Sequence, residues 1–232
     1  TAICAQSLTA LADGPTVRAY LGKDDRMRAV IVGAGMGGLM TALALRQSGV
    51  FASVDIYEQT NVPSTAGAGL NIPPNGARIC RWLGVDLDGG DPKGPDGVID
   101  GGRAAILEST RQFNADGSVT KRPFDHVTAA GDGAGFHHMH RLDLLMCLYK
   151  RVFEFGPDSG FPCPITVHMD CRLTELRQTA DEVTATFSNG RNPTGEVLLA
   201  ADDVRVRHHD LAVEAARAQQ RGIEHVGAVG GG

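Results

Sequence analysis

Apolar positions near the start of the chain form two short runs, the continuous Ala29 to Val32 and Val54 to Tyr57, which only Asp55 interrupts. Between them lies an Ala/Leu-rich stretch without proline, Leu39 to Gln47. A short unbroken apolar run predicts a strand covered on both faces, and the intervening segment predicts a helix. Gly33, Gly35 and Gly38 sit at the joint between the first strand and the helix. Gly49 ends the helix, and Glu58 closes the second strand twenty residues after Gly38. The order is strand, tight turn, helix, strand, acid, which is the layout of a dinucleotide-binding βαβ unit.

Downstream the pattern is more mixed. Residues 59–73 read as a loop rich in small residues, and Pro73 to Leu83 as a short helix stopped by Gly84. Residues 85–102 are dense in Gly, Asp and Pro and read as a linker. Ala104 to Phe124 predicts a β-hairpin turning at Asn114-Ala115-Asp116-Gly117, followed by a glycine-rich loop from Ala129 to Gly135. Leucines and other apolar residues recur at helical spacing from Leu142 to Phe153, predicting an amphipathic helix over Arg141 to Phe155. Strands are predicted at Ile165 to His168, Arg172 to Gln178, Glu182 to Phe187 and Glu196 to Ala200. In the third of these Val183, Ala185 and Phe187 alternate with threonines, the mark of a half-buried strand. Leu211 to Arg221 predicts an isolated helix, and Gly227 to Gly232 a flexible tail.

The glycine turn carries the first chemistry. Gly33 lets the chain turn off the strand, Gly35 lets a pyrophosphate approach the backbone, and Gly38 lets the helix pack against the strand. Unpaired N–H groups and the positive dipole end at the helix start hold phosphate charge. From the end of the second strand, Glu58 can accept hydrogen bonds from ribose hydroxyls. In a chain with 30 glycines among 232 residues the bare triplet carries little weight. The strand before it, the helix after it and the acid at the right distance give it its meaning.

Composition narrows the partners. Net charge is −5, which suggests neither nucleic acid nor an anionic membrane surface as a partner. No apolar run reaches the roughly 18 residues of a spanning helix. The first ten residues lack a basic region ahead of an apolar core, so the expected location is cytoplasmic. The five cysteines include no Cys-x-x-Cys pair, which fits reduced thiols. His137, His138 and His140 are close in sequence, but their spacing matches no common zinc pattern, and no metal is expected.

Several blocks agree in order and spacing: Val32-Gly-Ala-Gly-Met-Gly-Gly-Leu39, Tyr57-Glu58-Gln59, Gly67-Ala-Gly-Leu-Asn-Ile-Pro-Pro-Asn-Gly76, His140-Arg141-Leu-Asp-Leu144, and Leu198-Leu-Ala-Ala-Asp-Asp203. In these the chain resembles the N-terminal portion of the FAD-dependent aromatic hydroxylases, the single-component flavin monooxygenases that include salicylate hydroxylase-like proteins. The resemblance covers about residues 27–207. It implies an α/β fold: a Rossmann-like FAD-binding βαβ domain with mixed β elements, truncated before the substrate-binding sheet and the final Gly-Asp motif of the family. It implies FAD in extended form, with Gly33, Gly35 and Gly38 at the pyrophosphate, Glu58 at the adenosine ribose, and Met36 and Gln59 also in the cofactor-binding set. Gly69 and Leu70 would line the flavin, Arg141 would point at the cofactor from its helix start, and Asp202 would join the cofactor-binding set. NADH or NADPH would reduce the flavin, and a flavin peroxide would transfer oxygen from dioxygen to an aromatic small molecule. The cofactor carries that chemistry, so no catalytic side chain is named.

The family pattern Gly-Ala-Asp-Gly reads Ala200-Ala201-Asp202-Asp203 here, changed at both glycines. Expected organisation is an N-terminal extension over 1–26, a partial FAD-binding domain over 27–207 with a loop and hairpin insertion at 85–136, and a helix and tail over 208–232. Two other readings share the βαβ unit: a truncated relative without turnover, and a nicotinamide-binding reductase module. The Pro73 to Arg78 and His140 to Asp143 blocks argue against the second. A severed domain would leave apolar surface uncovered, from which poor solubility or oligomers are expected.

Overall fold

The computed structural model describes residues 26–62, 68–87, 99–100, 104–123, 134–202 and 225–228. The expected helix at 211–221, the Ala129–Gly133 part of the glycine-rich loop and nearly all of the N-terminal extension lie outside these residues. The chain divides into two compact units, residues 1–63 with 152–232, and residues 64–151.

The first unit is built on a four-stranded parallel sheet. Its strands are β1 (Met27–Val32) and β2 (Phe51–Tyr57), joined by helix α1 (Met36–Ser48), with two more from later in the chain. These are β10 (Ile165–His168) and β14 (Val197–Ala200), and the order is β10-β2-β1-β14. Ala29 to Val32 are buried because neighbours pair on both sides, Ala29 with Val54 and with Val197. The apolar face of α1 packs down through Gly38, Leu39, Ala42 and Leu43, all buried. Gly49, in the left-handed region at φ 72°, ends the helix.

A second sheet in this unit is antiparallel, in the order β13 (Thr194–Gly195), β12 (Val183–Phe187), β11 (Leu173–Gln178), β15 (His225–Ala228). The alternation expected in β12 holds: Val183, Ala185 and Phe187 are buried, and the two threonines between them are only half-buried. These side chains join Val30, Val32, Tyr57, Leu173 and Leu176 in one core between the sheets. Tyr57 is stacked between His168 and Phe187, with ring centroids 4.5 Å apart on each side. The expectation of a flexible tail from Gly227 onward is corrected at its start. Gly227 and Ala228 belong to β15, where they pair with Leu176 and Glu175 of β11.

The second unit contains a three-stranded sheet, β3 (Gly69–Ile72), β9 (His137–His140) and β6 (Ala105–Ile106), with β9 in the middle. The sequence pattern implies a loop at residues 69–72. They form a strand instead, because β9, more than sixty residues away, supplies an antiparallel partner that local periodicity cannot reveal. The expected linker also contains β4 (Val85–Asp86) and β5 (Ile99–Asp100), paired in parallel. Helix α2 (Pro74–Trp82) starts with proline, as expected, and Gly84 follows its end at φ 80°. There the Arg151 guanidinium occupies the space a side chain would need. The hairpin is β7 (Ser109–Phe113) with β8 (Val119–Pro123), and the Gly117 N–H donates to Asn114 O across the turn. Helix α3 (Arg141–Phe153) ends two residues earlier than the pattern implies.

Candidate functional site

In the first unit the C-terminal ends of β1 and β2 meet the start of α1. The Gly33 N–H donates to Tyr57 O at 2.8 Å, so the turn begins where β1 and β2 are still paired. Gly33 has φ 103°, a conformation that side chains rarely adopt. A Cβ there would also lie 2.7 Å from the Asp202 N and 2.8 Å from the Ala201 carbonyl carbon. At Gly38 a Cβ would overlap the Gly33 carbonyl oxygen. These two glycines therefore serve the packing of the turn on itself and on the end of β14.

Gly35 and Gly37 differ from them. A Cβ at either would meet nothing within 4 Å. The space in front of the first turn of α1 is open, and the absence of side chains there is not required by the protein's own packing. Gly35 is the N-cap and offers no side-chain hydrogen bond, and the first turn holds no acidic residue. Helix N–H groups with no side-chain cap and no acidic residue in their own first turn can receive an anion. Met36, the first helical residue, is half-buried beside it.

Glu58 stands at the end of β2. Its Oε2 accepts the Ala34 N–H at 2.8 Å, and its Oε1 accepts the Thr60 N–H at 3.0 Å and the Thr60 hydroxyl at 2.9 Å. The backbone is held as firmly: Glu58 N–H donates to His168 O at 2.8 Å, and Cys171 N–H to Glu58 O at 2.7 Å. The carboxylate is thus fixed next to the glycine turn. A carboxylate has about four lone-pair directions, so these bonds leave acceptor capacity for a ribose hydroxyl. Thr60 is not singled out by the sequence motifs. Its signal is local: a hydroxyl two residues after an acid can fold back on it. Gln59 is exposed.

Behind Glu58, Asp55 Oδ1 meets His168 Nε2 at 3.0 Å, and Arg191 Nη1 approaches His168 Nδ1 at 3.4 Å. Arginine can only donate, so Nδ1 accepts and the proton on Nε2 goes to Asp55. Burial pushes the Tyr57 phenol up to about 12, with the Asp55 charge adding to it.

Asp202 follows β14, which is tied to β1 by the Ala201 N–H donating to Val32 O at 2.8 Å. Ala200, at the first altered glycine of the family pattern, is exposed, so its methyl group is accommodated. Asp203 lies outside the described residues.

The remaining expected residues belong to the second unit. Gly69 pairs with His140, and its missing side chain makes room for the His138 ring, which would lie 2.7 Å from a Cβ. His138 Nδ1 is 2.8 Å from Asn71 Oδ1. Leu70 is half-buried opposite Met139. The Arg141 N–H donates to Ala68 O at 3.1 Å, fixing the start of α3 beside β3. His137 is buried, while His138 and His140 share the exposed face of β9.

Comparison with known proteins agrees with the Rossmann-like fold of the first unit. Residues 31–80 match the model of an NAD(P)-binding Rossmann-like domain. Hispidin-3-hydroxylase of Neonothopanus nambi is 30% identical over 199 residues, which are 83% of this chain and 43% of that protein. An FAD-dependent urate hydroxylase of Klebsiella pneumoniae is 28% identical over 177 residues, 76% of this chain and 40% of that protein. The crystal structure of Klebsiella pneumoniae HpxO complexed with FAD and uric acid superposes with a TM-score of 0.56 at 27% identity, covering 76% of this chain and 39% of that one. The chain spans about two fifths of the length of these relatives.

Proposed function

We propose that this chain, which corresponds to the N-terminal portion of the FAD-dependent aromatic hydroxylases, binds FAD through the glycine turn and Glu58. The observation that carries the reading is the open space before α1 at Gly35 and Gly37, with the fixed Glu58 carboxylate beside the same turn. The turn N–H groups would hold the pyrophosphate, and Glu58 would accept from a ribose hydroxyl. Met36 would border the phosphates, with Gln59 and Asp202 near the ends of their strands. Gly69, Leu70 and Arg141 keep the cofactor roles that the resemblance implies, and each is open to substitution on its own.

When bound, FAD would supply the redox and oxygen chemistry, with NADH or NADPH as reductant and dioxygen as co-substrate. The protein's part is to bind, orient and exclude water. The substrate we propose for the whole protein is an aromatic or heteroaromatic small molecule. Among the described residues no helix is long and apolar enough to cross a membrane.

A titration with FAD, ADP and FMN, followed by intrinsic or flavin fluorescence, tests the binding claim. FAD and ADP should compete for one site, because the turn and Glu58 address the ADP half, and FMN should bind far more weakly. Equal binding of FMN and FAD, with no competition by ADP, would refute this assignment.

A further inference from the structure

The opposite end of the parallel sheet carries a cavity that the nucleotide turn does not use. It has a volume of about 140 Å³ and is lined by Arg26, Arg46, Ser48, Phe51, Pro162 and Cys163, among others. A single water needs only ~15 Å³ on this measure, so the cavity admits a polyatomic guest. Arg26 enters β1 at its N-terminal end, whereas the glycine turn leaves the C-terminal end. Six residues at ~3.3 Å each put the two places roughly 20 Å apart.

The two arginines are not equivalent. Arg46 has a structural role: its guanidinium carbon lies 3.5 Å from the Phe155 ring centroid, and it sits in the last turn of α1, where a cation complements the helix dipole. Arg26 has no such explanation. Its Nε is shielded from solvent and has no hydrogen-bond partner among the described residues. A buried guanidinium N–H without an acceptor is costly, and an anion would satisfy it. The carbonyl end of α1 opposes an anion with about half a charge, which the full charge of the Arg26 guanidinium alone outweighs. Their field also reaches the Cys163 thiol: burial pushes it up, and Arg46 and Arg26 both pull against that rise.

We infer that this cavity binds a small oxyanion, a phosphate group either free or carried as a monoester. Two guanidiniums from different segments suit an anion with up to two charges and oxygens on several sides. The site rests on residues other than those of the proposed FAD site, and either can fail alone.

The test is thermal unfolding of the full chain titrated with inorganic phosphate at constant ionic strength, balanced with chloride. The expected result is a saturable rise in Tm that survives Gly35→Val, which blocks the glycine turn. Arg26→Gln should weaken the apparent affinity at least fivefold. If Arg26→Gln fails to fold, Arg26→Lys keeps the charge but loses the planar fork, and should weaken phosphate at least threefold. Phenyl phosphate binding more tightly than inorganic phosphate would identify a monoester as the ligand, and equal binding would identify the free ion. No saturable shift, a shift unchanged by the Arg26 variants, or one abolished by Gly35→Val would overturn the inference.

Discussion

The Glu58 carboxylate accepts the backbone N–H of Ala34 at 2.8 Å, linking the end of β2 to the glycine turn that follows β1. Two further bonds from Thr60 leave about one of the four lone-pair directions of this carboxylate open, and under the proposed assignment that one would accept from a ribose hydroxyl while the same acid holds the turn. Replacing it by Ala should cost both. A charge-assisted hydrogen bond is worth ~1.5–3 kcal/mol, so Glu58→Ala is expected to weaken FAD by about ten- to a hundredfold. Fluorescence titration checks this, and far-UV circular dichroism should show the fold retained. Unchanged affinity would remove Glu58 from the site.

Two glycines of the same turn should respond in opposite ways. Gly33→Ala forces a side chain into φ 103° and against the Ala201–Asp202 backbone. It should destabilise the chain by at least about 1–3 kcal/mol, read from urea unfolding. Gly35→Ala meets no protein atom within 4 Å, so stability should change by less than about 1 kcal/mol. Yet its methyl group enters the space that the pyrophosphate would fill, and FAD affinity should drop about tenfold or more. Gly35→Ala binding FAD as well as the parent would contradict the assignment of that space.

The stacked column Phe187–Tyr57–His168 joins the two sheets directly behind Glu58. Phe187 is 2% exposed, and its truncation to Ala should cost ~3–5 kcal/mol. Urea unfolding of Phe187→Ala measures it. A loss under about 1 kcal/mol would mean that the core between the sheets is not packed as described.

Alkaline pH should weaken the fold in a defined order. Burial pushes the Cys80 thiol from 9.0 up to about 11 and the Tyr57 phenol from 10.0 up to about 12. Both groups are raised in the folded chain, so the unfolded chain loses its protons first. Stability is fully present below pH 9, begins to fall as unfolded Cys80 ionises, and falls further between pH 10 and 12 through Tyr57. Melting temperatures across this range should show the decline. Tyr57→Phe should remove the Tyr57 share, which runs from pH 10 to about 12, and leave the Cys80 share, which runs from pH 9 to about 11.

The βαβ unit was legible in the sequence because its signals are local. Short apolar runs, three glycines and an acid lie close together along the chain, and each follows from the conformation of its own segment. The hairpin at Asn114–Gly117 and the alternation in β12 were legible for the same reason. β3 was not: Gly69–Ile72 is a strand only because β9 pairs with it, and its glycine looks like a loop residue until the His138 ring is seen to fill the place of its side chain. Nor was β15, whose Gly227 and Ala228 look like tail residues until β11 pairs with them. Spacing also gave Gly33, Gly35 and Gly38 related roles in the same turn. The structure separates them, since only Gly35 faces open space while Gly33 and Gly38 are required by packing. Thr60 escaped notice because its contribution is to orient another residue's carboxylate.

The most direct test of FAD binding at this turn is the absorbance spectrum of the purified chain after incubation with FAD and desalting. Flavin bands at close to one FAD per chain are expected, as is their loss in Gly35→Val. A folded chain that emerges without flavin, or a Gly35→Val variant that retains it fully, would contradict the assignment.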